Sequence, residues 1–167
     1  VVTEEMPVDP LRRWARALAD AAPTAVWAVD TATVVPMRTV GPGIDRAFVY
    51  RQRITPLLDA ALAPWVPEDV GTSSLPDLPF EPFDLDSDLA EAIASCAIDH
   101  SLPPVAGTVG GTRAGTARWR AFVDGGGLDR YPKERNDVLL EGVSRMSAYL
   151  HYGMVAPRDL AREARSR

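Results

Sequence analysis

The sequence predicts a mainly helical chain in three parts. These are a short α/β portion over 1–65, an acidic, proline-rich connection with one helix over 66–105, and an all-α portion over 106–167. Three observations lead there. Thr24-Ala25-Val26-Trp27-Ala28-Val29-Asp30 is a short apolar run that closes on an acid, the mark of a buried parallel strand. Five prolines fall between Pro64 and Pro82 with no sustained period, which makes a linker. After Gly107, apolar residues recur every three or four positions, as on helices.

Taken in order, Asp9 is placed to cap a helix whose first residue is Pro10 and which runs through Trp14 and Leu18 to about Ala22. The strand over Val26 to Val29 follows, at the edge of an incomplete sheet. Thr33-Val34-Val35-Pro36 resumes an extended path, because the residue before a proline is pushed away from helix. Gly41-Pro42-Gly43 is a turn. From Asp45 a long helix carries Ala47, Tyr50, Ile54, Leu57, Leu58 and Ala61 as one stripe, with Pro56 kinking it or restarting it from Thr55. Asp86 or Ser87 caps a helix through Leu89, Ile93 and Cys96, which Pro103-Pro104 closes. Gly110-Gly111-Thr112 opens a helix with Ala114, Ala117, Ala121 and Phe122 inward, and Gly125-Gly126-Gly127 ends it. A short helix spans Leu128 to Arg135. Another starts near Ser144 and covers Met146, Tyr149 and Leu150, and Pro157 starts the last.

The 167 residues, 46% of them hydrophobic, suffice for one ordinary domain or two partial ones. The net charge of −5 excludes a strongly basic nucleic-acid binder as a whole, but the average hides an asymmetry. Val66 to His100 holds nine acids and no base, whereas Ser101 to Arg167 holds eleven bases and seven acids. A polyanion partner is therefore sought in the last third. One cysteine, Cys96, excludes an internal disulfide and a multi-thiolate metal site, and two histidines leave little room for a metal centre. No apolar run reaches membrane-span length, and the first residues are not a signal peptide, so no membrane association and a cytoplasmic location are expected. A first residue other than Met and a last stretch inside an Arg-rich helical pattern, Asp159 to Arg167, suggest a segment of a longer protein.

The chemistry concentrates late in the chain. Ser144 and Ser147, three residues apart at a turn-to-helix junction with Arg145 between them, set hydroxyls beside free backbone N–H groups and a guanidinium. A phosphate suits that combination, and so does a plain N-cap serine beside a surface arginine. Tyr131 and Arg135 stand one helical turn apart and share a face. An aromatic plane beside a phosphate-pairing fork is one reading, and a half-buried tyrosine beside a solvated arginine is the other.

In this order and spacing the motifs resemble the photolyase/cryptochrome flavoprotein family. The likeness spans Val105 to Arg167. It takes in the Gly-Gly-Thr opening, a helix with Trp119 and Phe122, and Leu128-x-x-Tyr131-x3-Arg135-Asn136-Asp137. Val143-Ser144-Arg145-Met146-Ser147, Tyr149-Leu150-His151-Tyr152-Gly153 and Pro157-Arg158 continue it. The family pattern is Y-x3-R-[ND], then T/V-S-R/G-L-S-P-Y-L-H-F-G, then S-P-R. Upstream, Val26-Trp27-x-Val29-Asp30-x3-Val34-Val35-Pro36 and the helix with Arg51 and Arg53 look closest to the class II branch. Val143 stands for a frequent Thr, Met146 for Leu, Ala148 for Pro, Tyr152 for Phe and Ala156 for Ser.

The resemblance implies the C-terminal part of a Rossmann-like α/β domain joined through the linker to the first helices of a helical FAD-binding domain. It implies that Tyr131 contacts FAD, that Val143, Ser144, Arg145, Met146 and Ser147 wrap its phosphates and ribityl chain, and that Arg135 reaches the DNA backbone. The implied enzyme is a deoxyribodipyrimidine photolyase, a monomeric lyase without metal, acting on DNA that contains pyrimidine dimers. In the family, light-excited reduced FAD passes an electron to a flipped-out dimer, which splits and returns it. The adenine and isoalloxazine contacts and the electron-transfer tryptophans would lie beyond Arg167. Trp14, Trp27, Trp65 and Trp119 do not replace them, and this segment alone is expected to be inactive. His151 is expected to bond a backbone group near the flavin-site helix. A cryptochrome-type light sensor without repair, or a small α-rich interaction domain, are the alternatives.

Overall fold

The computed structural model describes residues 1–64, 77, 79–81 and 88–167. The elements are β1 (Val2–Glu4), α1 (Leu11–Ala21), β2 (Trp27–Val29), α2 (Met37–Val40) and α3 (Ala47–Ile54). A 3₁₀ turn (Thr55–Leu57), α4 (Leu58–Ala61), α5 (Leu89–Ala94) and α6 (Thr112–Asp124) follow, then α7 (Gly127–Glu134), α8 (Ser147–His151) and α9 (Pro157–Ser166). The chain is mainly helical. It divides into two compact units, one formed by Val1–Pro64 with Val109–Arg167 and one by Trp65–Thr108.

In the first unit, β1 and β2 pair in parallel, with Val2 opposite Trp27 and Glu4 opposite Val29. The predicted strand exists and is parallel, but it is not buried: Trp27 is 69% exposed. Two strands of three residues enclose neither of their faces. The partner strand β1 was not foreseen, because Val1-Val2-Thr3 carries no alternation beyond two residues. Leu11–Ala21 follows the predicted α1 closely, although Pro10 rather than Asp9 is the N-cap and no side chain caps it. The Asp9 carboxylate pairs instead with Arg12, at 3.3 Å.

The extended path over Thr33–Pro36 does not become a strand, and Asp30 supplies the reason. Its carboxylate accepts from the Thr33 N–H at 3.0 Å and from the Met37 N–H at 2.9 Å. The chain is thereby folded into a turn that delivers the first donor of α2 to a carboxylate. That turn buries Val35, which is 1% exposed. The helix expected from Asp45 starts at Ala47 and breaks at Thr55, as Pro56 requires, into a 3₁₀ turn and α4.

The second helical stretch builds the largest core. Trp119, Val123, Met146 and Tyr149 are buried together, with Ala114, Phe122, Leu128, Met154, Val155, Leu160 and Ala164 packed around them. The inward face of α6 is Gly115, Trp119 and Val123, whereas Ala117 and Ala121 face out. An alanine stripe gives a weaker burial signal than a tryptophan four residues from a valine. Gly115 permits the contact: a Cβ there would lie 2.6 Å from the Val155 side chain and 2.8 Å from the Tyr149 ring. Two polar anchors lock the cluster. The Trp119 indole N–H donates to Glu163 at 2.8 Å, and the Tyr149 hydroxyl donates to the Val109 carbonyl at 2.8 Å.

Helix α9 starts at Pro157 as expected and ties the two ends of this unit together. Arg158 donates to the Ala63 carbonyl at 2.8 Å, Arg162 to the Leu62 carbonyl at 3.2 Å, and Arg165 pairs with Asp59. Two of these cations thus meet the carbonyl end of α4, where the helix dipole is negative, and the third meets a carboxylate in its first turn. In the second unit α5 is capped by Asp88, whose carboxylate accepts from the Ala90 N–H at 2.8 Å. The alternative caps, Asp86 and Ser87, lie outside the described residues, as does most of the proline-rich linker and Trp65.

Candidate functional site

The site begins with α7. Its second turn carries Tyr131, and Arg135 forms its C-cap. Both are exposed, and the Arg135 guanidinium lies 5.6 Å from the centroid of the Tyr131 ring. At that distance the cation is attracted by the ring face. Neither Arg135 nor Lys133 pairs with a carboxylate among the described residues, so this end of α7 presents free positive charge.

The turn that follows returns to α7. Gly142 is buried against Glu134, where a Cβ would lie 2.4 Å from the glutamate Cβ and 2.7 Å from its carbonyl oxygen. Only a glycine allows the backbone to pass this close. The start of the stretch Val143–Ser147 is therefore held beside the end of α7. Of the predicted residues, Tyr131 and Arg135 lie together, Val143 follows directly on the Gly142–Glu134 contact, and Met146 lies in the core with Trp119.

Their individual placement departs from the sequence reading in three ways. Helix α8 begins at Ser147, not near Ser144. Its N-cap is Met146, with no side-chain cap. The Met146 side chain is 3% exposed and packs in the core with Trp119, so it can offer a ligand only its backbone. Arg145 is the one non-glycine residue with positive φ (55°) among the described residues, and its guanidinium pairs with Glu141 at 2.7 Å. A left-handed residue followed by the right-handed Met146 turns successive N–H groups toward one side, as in anion-binding nests.

The hydrogen bonds bear this out. Among the described residues, the N–H groups of Val143 through Ala148 donate to no carbonyl or side-chain acceptor. Polar backbone without a protein partner is met by water or by a ligand. Ser144 is half-buried, Ser147 and Val143 are exposed, and the Ser144 carbonyl accepts from the Arg118 guanidinium at 3.2 Å. Arg118 was not singled out from the sequence, since it lies 26 residues upstream in an arginine-rich helix and no local spacing marks it. The His151 ring bonds no backbone group among the described residues. It meets Tyr152 edge-on, 4.8 Å between centroids.

No protein-family model, curated protein or solved structure matches the chain. Among the described residues no helix is long and apolar enough to cross a membrane.

Proposed function

We propose that the chain belongs to a photolyase-like flavoprotein that splits pyrimidine dimers in DNA with light, and that it carries part of the FAD site. The observation that carries the reading is the run of unaccepted N–H groups from Val143 through Ala148, in a turn fastened to the Tyr131–Arg135 end of α7. The donor set fits a diphosphate: backbone N–H groups, two serine hydroxyls and nearby guanidinium groups. Val143, Ser144, Arg145, Met146 and Ser147 would hold the phosphates and the ribityl chain. Met146 does so only through its backbone. When bound, the flavin supplies the light absorption and the electron.

The protein's own part is placement and charge. Tyr131 offers a ring face beside the turn, and Arg135, partly spread over that ring, keeps a positive charge at the surface for a DNA phosphate. The free cations at the end of α7 lie in the net-positive last third of the chain. In this reading they attract DNA through its backbone, with binding that weakens as salt rises. The motif order from Tyr131 to Arg158 gives the reading its family, and with it the cytoplasmic setting and the monomeric whole protein.

The test is titration of the chain with FAD, followed by flavin fluorescence, and with DNA carrying a pyrimidine dimer, followed by anisotropy. Weak binding of FAD is expected, since the adenine and isoalloxazine contacts are expected beyond Arg167, together with DNA binding whose slope of log affinity against log salt Arg135→Ala lowers by about one. Absence of both interactions overturns the reading.

A further inference from the structure

The sequence motif points to Arg145 as the cation of the turn, but the charges around it point elsewhere. Arg145 is compensated by Glu141 at 2.7 Å. Arg118 reaches the same turn from α6, and among the described residues no carboxylate pairs with it. We infer that Arg118, rather than Arg145, is the cation that meets the ligand's diphosphate at the 143–147 turn. This inference rests on the flavin reading above and names a binding residue that the motif does not contain.

Two features prepare Arg118 for that role. Its Nε donates to the Ser144 carbonyl at 3.2 Å, which fixes the guanidinium plane against the turn and uses one donor of five. The terminal amines keep their donors for anionic oxygens, the pairing in which a guanidinium fork is strongest. The base of the side chain is also fixed. The next residue, Trp119, is buried, pinned by Glu163 and packed with Met146, the N-cap of α8 within the turn. Arg118 and the N–H groups of the turn are thus held by one packed cluster, so a ligand there finds its donors already ordered.

The experiment titrates the chain and its variants with FAD and, separately, with inorganic pyrophosphate. Arg118→Ala is expected to raise Kd for both about tenfold or more, the effect of one lost charged hydrogen bond, and to lower the salt dependence. Arg118→Lys, which keeps the charge but loses the planar fork and its Nε contact, recovers part of the affinity. Arg145→Gln weakens both less than Arg118→Ala does, because its guanidinium is already paired with Glu141. Far-ultraviolet circular dichroism and exchange of the Trp119 and Tyr149 amides check that each variant is folded. If Arg118→Ala fails to fold, Arg118→Gln takes its place. Weakening by Arg145→Gln with none from Arg118→Ala overturns the inference and leaves the flavin reading standing. Weakening for FAD but not for pyrophosphate also overturns it, since Arg118 then acts away from the phosphates. Binding of neither ligand by the unaltered chain overturns both.

Discussion

Trp27 sits in an apolar run and Trp119 between two arginines, yet the first is exposed and the second buried. Trp27 lies on a strand of three residues with a single partner strand and stays 69% exposed. Trp119 lies mid-helix and is 8% exposed, with Val123, Met146 and Tyr149 around it and Glu163 on its indole N–H. Burial depends on how many elements converge on a residue, more than on the apolarity of its neighbours in sequence. Helices α6, α8 and α9 converge on Trp119. Among the described residues only β1 pairs with the strand that carries Trp27. The candidate site draws on the convergent region, because Met146 is the N-cap of α8 within the 143–147 turn and also fills that core.

The largest expected effect tests this contrast directly. Trp119→Ala should cost about 3–5 kcal/mol, the usual range for emptying an aromatic site in a packed core. Trp27→Ala should stay within about 0.5 kcal/mol, as for a surface position. Urea unfolding of the two variants measures both midpoints. Equal losses would break the comparison, because the two-strand sheet would then contribute as much as the helical core.

The same contrast explains how far the sequence could be read. Proline punctuation translated well: Pro56 broke its helix at Thr55, and Pro157 began α9. Both are local steric effects that the chain cannot avoid. Features set by packing translated poorly. The inward face of α6 runs through Gly115, a residue with no hydrophobic signal, whose role appears only when Val155 and Tyr149 arrive against it. The start of α8 slipped from Ser144 to Ser147 because Met146 is drawn into the core as N-cap. At the site, the Tyr131–Arg135 pair and the 143–147 turn were each legible as motif spacing. Gly142 against Glu134, which joins them, and Arg118 on the Ser144 carbonyl are long-range contacts that no local pattern announces.

A smaller effect separates the turn from the core beneath it. Gly142→Ala sets a methyl group against the α7 backbone, where it would lie 2.6 Å from the Glu134 carbonyl carbon. The backbone cannot give way as a side-chain tip can, so overpacking should cost about 1–3 kcal/mol. The local consequence is more telling than the loss itself. Amide exchange should rise at Arg135, Asp137 and Leu140, whose N–H groups are bonded at and just after the end of α7, while Trp119 and Val123 keep their protection. Uniform loss of protection would mean that the turn and the core open as one unit, and the distinction between them would fall.

The smallest effect lies in the second unit, which contributes no residue to the candidate site. The Asp99 carboxyl is held below its ordinary value, first by the Ser101 hydroxyl at 2.6 Å and then by the Ser101 N–H at 3.0 Å, with slight desolvation opposing them. Both bonds favour the charged form. A carboxyl depressed in the folded state adds stability above its unfolded value, and that stability is lost as pH falls through the folded value. The window therefore lies on the acid side of the usual carboxylate range, and near neutral pH the contribution does not vary. Asp99 is exposed, so water competes for both bonds and the whole-chain melting temperature should not register the change. A carboxyl carbon titration by nuclear magnetic resonance should. Its midpoint is expected below that of an ordinary aspartate, and Ser101→Ala should move it upward by removing the hydroxyl while leaving the N–H in place. A midpoint unmoved by that substitution would mean that water replaces the hydroxyl at no cost. The remaining depression would then belong to the backbone of the Asp99–Ser101 turn, a local arrangement that needs no packed core.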